Sequence, residues 1–136
     1  MSTKSVSLQG LRLLIVDDDP DTRTLLSCLF EFEGAETVTA ASGSEALEIT
    51  SFFKPDILLL DICLPDEDGY SLLPRLRNIK GSRKHKIPAI ALTASAMEED
   101  RSYAFLVGFD RHLCKPVDLD ELTSVVVSLT ELIQSA

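Results

Sequence analysis

The chain has 136 residues, a length that favours one domain with its own hydrophobic core. Its formal net charge is −9, which argues against nucleic-acid binding, because that function needs a basic surface to attract phosphates. The three cysteines form no CxxC pair and no apolar run approaches the roughly 18 residues of a membrane span, so neither a disulfide framework nor a transmembrane segment is predicted.

The first ten residues lack the apolar segment of a secretory signal, so we expect a cytoplasmic protein with reduced thiols. Residues 1–9 are predicted to be a flexible tail, and residues 10–136 a single domain. Within that domain, Cys28 and Cys114 are interpreted as small buried hydrophobic residues.

Short apolar runs alternate with amphipathic stretches along the rest of the chain. Such runs, ending in polar residues, are typical of buried parallel strands. The predicted strands cover residues 11–16, 36–40, 56–60, 89–92 and 111–114.

Helix start and stop signals separate the predicted strands. Asp19 and Pro20 open the first helix, with the proline near a position where its missing N–H costs nothing, and Gly34 is its expected C-cap. The second helix begins at a capping box formed by Ser42 and Glu45.

The later helices follow the same logic. The third begins after Asp68 and Gly69 and carries Pro74, which we expect to cost a hydrogen bond or to bend the helix. The fourth covers residues 98–107 and is closed by Gly108. The last shows one apolar helical face made by Leu119, Leu122, Val126, Leu129 and Ile133.

Five strands in strict alternation with five helices predict a parallel sheet with right-handed crossovers and helices on both faces. The fold class is therefore α/β, as a single doubly wound, flavodoxin-like domain. We expect the strand order 2-1-3-4-5, the common order for five strands.

Polar residues follow four of these strands. Asp17 and Asp18 come after the first strand, Asp61 after the third, Thr93 after the fourth and Lys115 after the fifth. Ligands of open parallel sheets bind at the carboxyl ends of the strands, so we expect these side chains to meet at one edge.

In the expected strand order, Asp17, Asp18 and Asp61 crowd about three negative charges into one pocket. A hard divalent cation relieves that repulsion, and oxygen ligands favour Mg²⁺ over a soft metal. A carboxylate, a hydroxyl and an ammonium around such an ion suit a phosphoryl group, with the carboxylate as nucleophile.

Four segments, IVDDD at 15–19, DICLPDEDG at 61–69, LTA at 92–94 and KP at 115–116, together resemble the CheY-like receiver domain of two-component response regulators. The resemblance extends over roughly residues 11–133. It implies that Asp61 accepts a phosphoryl group from a histidine kinase or a histidine phosphotransfer protein. It also implies that Asp17, Asp18, Asp61 and the backbone carbonyl of Cys63 hold Mg²⁺.

The resemblance further implies that Thr93 is the switch hydroxyl, and that Lys115 pairs with the phosphoryl oxygens from a cis peptide bond to Pro116. His112 stands where the family usually has Tyr or Phe. We therefore assign Thr93 and His112 to the switch, although the imidazole departs from the usual aromatic ring.

The expected function is a stand-alone receiver that switches its surface for a protein partner, without binding nucleic acid or membrane, as a monomer or weak homodimer. It is not expected to be an enzyme, because it catalyses only its own phosphotransfer and dephosphorylation. One alternative is a receiver-like interaction module that works without phosphorylation. A less favoured one is a small Mg²⁺-dependent phosphohydrolase.

Overall fold

A computed structural model describes residues 8–79, 86–94 and 97–135. Strands and helices alternate strictly, as predicted. The elements are β1 (Arg12–Val16), α1 (Pro20–Phe32), β2 (Glu36–Ala40), α2 (Gly43–Phe53), β3 (Ile57–Asp61), α3 (Gly69–Arg77), β4 (Ala89–Thr93), α4 (Glu98–Val107), β5 (Arg111–Cys114) and α5 (Leu119–Ser135).

All neighbouring strands are parallel, and their order is β2-β1-β3-β4-β5, which confirms the predicted fold class. β1 lies between β2 and β3, with Val16 opposite Ala40 on one side and Leu60 on the other. The segment after β1 and the end of β3 therefore lie side by side at the carboxyl edge, which is where two of the predicted acidic groups come from.

Helices cover both faces of the sheet, and each face has its own apolar core. Leu13 and Ile15 point into the core that α1 and α5 cover, whereas Leu14 and Val16 point into the core beneath α2, α3 and α4. All four side chains are fully buried. Burial on both faces explains why β1 is an uninterrupted apolar run and not an alternating one.

The predicted boundaries of three strands are wrong by one residue. β4 continues through Thr93, whereas residues 89–92 were expected. β3 begins at Ile57 and continues through Asp61, whereas residues 56–60 were expected. Asp56 lies outside the strand because its carboxylate accepts a hydrogen bond from the Arg12 backbone N–H at 2.9 Å. Leu11 precedes β1 and is buried beside it.

The predicted tail overlaps the described residues only at Leu8 and Gln9. Leu8 is 1% exposed, packs in the core beneath α1 and α5, and donates its N–H to the Glu33 carbonyl at 3.3 Å. The folded part therefore begins earlier than predicted, and residues 1–7 lie outside the described residues. Cys28 is exposed and Cys114 half-buried, so the prediction that both are buried was also wrong.

α3 continues through Pro74, which lies inside the helix and is exposed. Its N-cap is Asp68, whose carboxylate accepts a hydrogen bond from the Ser71 N–H at 2.7 Å. In the described chain, no helix combines the length and the apolarity needed to cross a bilayer.

Candidate functional site

The carboxyl edge of the sheet brings three acidic side chains together. Asp17 directly follows β1 and is fully buried, Asp61 is the last residue of β3 and is 4% exposed, and Asp18 is exposed at the rim. One carboxylate oxygen from each lies within 4.8 Å of the others. The predicted acidic pocket is therefore present in the geometry of the chain.

Lys115, directly after β5, directs its ammonium into this pocket. Its Nζ lies 2.8 Å from Oδ2 of Asp17 and 3.1 Å from Oδ2 of Asp61. The Lys115–Pro116 peptide bond is cis. Two carboxylates thus share one ammonium, and with Asp18 beside them the pocket keeps a net negative charge.

The loop after β1 holds Asp17 through several bonds. Its N–H donates to the Ala40 carbonyl at 3.0 Å, and its Oδ1 accepts from the Asp19 N–H at 2.9 Å. Nη1 of Arg23 donates to the Asp17 backbone carbonyl at 2.7 Å. Both the backbone and one carboxylate oxygen of Asp17 are consequently fixed in place.

The other oxygen of Asp17, Oδ2, is buried and receives no hydrogen bond from any described residue. The Lys115 ammonium is at ion-pair distance from this oxygen but lacks hydrogen-bond angles. The ion pair with Lys115 offsets part of the cost of burying this oxygen, and a metal cation beside it would offset more. The donor set, three carboxylates with neither His nor Cys side chains among them, fits a hard divalent cation.

Asp61 uses both of its carboxylate oxygens. Oδ1 accepts the Cys63 backbone N–H at 3.0 Å, and Oδ2 accepts from Lys115. Burial disfavours the charged form and raises the pKa of Asp61; the Cys63 N–H and Lys115 oppose that rise, and the charge of Asp17 adds to it.

Lys115 responds in the opposite way to its surroundings. Burial alone would lower the pKa of its ammonium, but the carboxylates of Asp17 and Asp61 outweigh burial and raise it. The ammonium is therefore held in its charged form beside Asp61, where it can pair with an anionic group.

The remaining predicted site residues lie on or next to the same edge. Thr93 ends β4, is 6% exposed, and its carbonyl accepts the Lys115 N–H at 2.7 Å. Cys63 follows Asp61 and has an exposed side chain.

His112 lies on β5, opposite Ala91 and half-buried. Its Nε2 is buried and has no hydrogen-bond partner among the described residues. Burial lowers the pKa of His112; Arg101 lowers it further and Asp100 opposes both.

Two residues around the site were missed by the sequence analysis. No sequence pattern identifies Arg23, because its hydrogen bond to the Asp17 carbonyl depends on the direction in which α1 starts after the loop. Asp66 accepts hydrogen bonds from the first turn of α2. Its signal was the run of three acidic residues before Gly69, of which only Asp68 is needed to cap α3.

Comparison with known proteins places this site in a family context. A model of the response regulator receiver domain matches residues 13–127. An uncharacterized 14.6 kDa protein of Leptolyngbya boryana is 43% identical over 120 residues, which cover 88% of this chain and 90% of that protein. Several other curated relatives are longer, and the chain spans between 8% and 52% of their lengths.

Solved structures agree with the fold. The receiver domain of the Francisella response regulator 1452 matches with a TM-score of 0.81 and 32% identity, over 91% of this chain and 99% of that chain. The receiver domain of the sensor histidine kinase PA1611 from Pseudomonas aeruginosa PAO1 matches with a TM-score of 0.73 and 31% identity, over 85% and 93% respectively. The latter structure has a magnesium ion coordinated in its active-site cleft.

Proposed function

The chain belongs to the response regulator receiver family, a family of signalling domains, and we propose on this basis that it is switched by phosphorylation of Asp61. The phosphoryl group comes from a histidine kinase or a histidine phosphotransfer protein. The phosphorylated form then changes the surface offered to a protein partner. Action as a stand-alone receiver stays a prediction, supported by the similarly small relative that the chain covers almost fully.

The contact between Lys115 and Asp61 is the observation that carries this proposal. In the transfer step, a carboxylate oxygen of Asp61 forms a bond to phosphorus while the phosphorus–nitrogen bond of the donor histidine breaks, and the electron pair of that bond goes to the imidazole nitrogen. The new group is anionic, and Lys115 Nζ, 3.1 Å from Asp61 Oδ2, is in place to pair with it.

The acidic residues around Asp61 supply the metal site in this proposal. Asp17, Asp18, Asp61 and the Cys63 backbone carbonyl would hold Mg²⁺, and the ion would neutralise charge on the phosphoryl oxygens. Oδ2 of Asp17 supports this assignment, because it is a buried anionic oxygen that has an ion pair with Lys115 but receives no hydrogen bond from the described residues.

Thr93 and His112 are the proposed switch residues. Thr93 ends the strand next to β3 and shares with Lys115 the backbone bond that joins β4 to the end of β5. His112 lies on β5 two strands from Asp61. A shift of Thr93 toward the phosphoryl group would displace the neighbouring end of β5 and with it His112. Phosphorylation would thereby favour one of two conformations of the same fold.

Phosphorylation can be tested by incubating the full chain with Mg²⁺ and a small phosphodonor such as acetyl phosphate, with intact mass as the readout. We expect the wild type to gain one base-labile phosphoryl group and Asp61→Asn to gain none. Asp120→Asn, which changes an exposed carboxylate on α5, is the matched control and should behave as the wild type.

Two outcomes would contradict the proposal. A wild type that binds Mg²⁺ but accepts no phosphoryl group from the donor or from histidine phosphotransfer proteins favours the phosphorylation-independent interaction module. Continuous turnover of phosphomonoesters favours the phosphohydrolase.

A further inference from the structure

We propose that Asp66 is a positioning residue for the phosphorylation site, because it holds the loop that follows Asp61 against the first turn of α2. This loop, residues 62–68, is called the β3–α3 loop here. The inference rests on the proposed function, since it assigns Asp66 a role in shaping the Mg²⁺ and phosphoryl site without touching either group.

The contact itself is bidentate. Asp66 Oδ1 accepts the Gly43 N–H at 2.9 Å and Oδ2 accepts the Ser44 N–H at 3.0 Å. These bonds lower the pKa of Asp66. A carboxylate that takes two successive backbone N–H groups fixes both the distance and the orientation of the segment that carries it.

The first turn of α2 needs this outside partner. A helix begins with N–H groups that have no acceptor within the helix. Ser42 Oγ accepts the Glu45 N–H at 3.2 Å, and Glu45 Oε1 accepts the Ala41 N–H at 2.6 Å. The helix's own cap thus leaves the N–H groups of residues 43 and 44 to Asp66.

The next residue of the loop packs on the same turn. A Cβ built on Gly43 would lie 2.7 Å from Oε2 of Glu67, so the Glu67 side chain lies close against this turn and would have to shift for a larger residue at position 43. Glu67 is held in turn by Arg75 at 2.5 Å. Two consecutive loop residues therefore contact α2.

The other end of the loop closes directly beneath the phosphoacceptor. The Gly69 N–H donates to the Ile62 carbonyl at 2.7 Å, and Cys63 pairs with Asp68 in an isolated antiparallel bridge. The Cys63 N–H then donates to Asp61 Oδ1. Fixing the tip of the loop on α2 consequently restricts the backbone of Cys63, which is both a hydrogen-bond donor to Asp61 and the proposed carbonyl ligand.

α2 is itself tied to the opposite side of the pocket. It follows β2, whose last residue, Ala40, accepts the Asp17 N–H at 3.0 Å. The Asp66 contact therefore completes a series of hydrogen-bonded segments that runs from Asp17, through the start of α2 and the β3–α3 loop, to Asp61. Among the described residues, this path adds to the connections that the sheet and Lys115 make between the two carboxylates.

The test compares Asp66→Ala with Ser42→Ala in the full chain. Each substitution removes a cap from the same helix turn, but only Asp66→Ala releases the β3–α3 loop. We expect Asp66→Ala to weaken Mg²⁺ affinity by about 10-fold, the lower end for loss of a residue that supports metal ligands, and Ser42→Ala to leave it within about 2-fold. Asp66→Asn, which retains one acceptor oxygen, should be intermediate.

A second readout needs neither metal nor phosphodonor. Amide hydrogen exchange at Cys63 should become faster in Asp66→Ala and remain as in the wild type in Ser42→Ala. Equal effects of the two alanine variants, on exchange or on Mg²⁺ affinity, would overturn the proposal, because Asp66 would then act only through the stability of α2.

The two readouts also separate this inference from the proposed function. If the wild type neither binds Mg²⁺ nor accepts a phosphoryl group, the proposed function fails. In that case, unchanged exchange at Cys63 in Asp66→Ala overturns the loop assignment as well, whereas selectively faster exchange retains the positioning of the loop.

Discussion

Lys115 Nζ lies 2.8 Å from Oδ2 of Asp17, a carboxylate with no exposed surface. The same ammonium is shared with Asp61, so two buried carboxylates are balanced by a single positive charge. Burying charge costs free energy unless each ion is fully paired. The negative charges in the pocket therefore exceed the positive charge, and their repulsion lowers the stability of the folded state. Binding a cation or neutralising one carboxylate should raise it.

Mg²⁺ should stabilise the protein, and a chelator should reverse the effect. A ligand that binds only the folded state at about 100 times its dissociation constant adds roughly 2.7 kcal/mol to the free energy of unfolding. Thermal unfolding with Mg²⁺ and with EDTA measures this difference, which should amount to several degrees. Asp17→Asn should lose most of the gain.

The matched control for Asp17→Asn is Asp21→Asn, which changes an exposed carboxylate in the first turn of α1 outside the acidic group. Its response to Mg²⁺ should equal that of the wild type. Equal loss of the gain in the two variants would show that Mg²⁺ acts on general surface charge and not at the pocket.

Asp61→Asn should stabilise the metal-free protein at neutral pH. Burial raises the pKa of Asp61 above its ordinary value of 3.8, so ionised Asp61 destabilises the folded state relative to the protonated form. The neutral amide removes that penalty, and we expect a gain on the order of 1 kcal/mol, the size common for single stabilising substitutions.

The stability gain of Asp61→Asn should depend on pH in a defined direction. As the pH falls through the raised pKa towards 3.8, wild-type Asp61 takes up a proton and its penalty disappears, so the advantage of Asp61→Asn should shrink. Urea unfolding in EDTA at several pH values measures it. An asparagine variant less stable than the wild type at pH 7 would mean that the ion pair with Lys115 outweighs the cost of burial.

Much of the site could be predicted because its signals are local. Each strand is a short apolar run, and Asp17, Asp61 and Thr93 stand at fixed places at the end of such runs. Parallel pairing then brings those ends to the same edge of the sheet, independently of the conformations of the loops. The sharing of Lys115 between two carboxylates follows from the same geometry.

Other features depend on the relative placement of separate segments. The contact of Asp66 with Gly43 joins the β3–α3 loop to the first turn of α2, 23 residues away, and the acidic run before Gly69 does not identify that partner. Cys28 is different, because the signal was present: it lies two residues after buried Leu26 on α1, and two residues rotate a helix by about 200°, towards solvent.

His112 should make stability depend on pH near neutrality. Burial lowers the pKa of His112 below its ordinary value of 6.5, so the folded state favours the neutral imidazole. Arg101 lowers the pKa further, and Asp100 acts in the opposite direction. The contribution of His112 to the free energy of unfolding is therefore fully present above pH 6.5. It is lost as the pH falls through 6.5 towards the lowered pKa.

The measurement is the free energy of unfolding between about pH 5 and 8 for the wild type and for His112→Phe, which carries the family's usual kind of ring. Taking the difference between the two proteins removes the contribution of Asp61, which has the opposite sign. The difference should change in favour of phenylalanine as the pH falls. Parallel curves would show that His112 has the same pKa in the folded and unfolded states.

Pro74→Ala should stabilise α3. Proline at this position has no N–H to donate to the Tyr70 carbonyl, four residues earlier in the helix, and its ring crowds that carbonyl. Inside a helix, alanine is favoured over proline by about 3 kcal/mol. Proline offsets up to about 1 kcal/mol of this by restricting the unfolded chain, so the expected gain is about 2 kcal/mol.

Pro20→Ala is the control, because Pro20 is the first residue of α1, where a missing N–H costs nothing. The free energy of unfolding of this variant should not exceed that of the wild type. Urea unfolding of both variants decides the point: equal changes would mean that the backbone of α3 has adapted to Pro74 without cost.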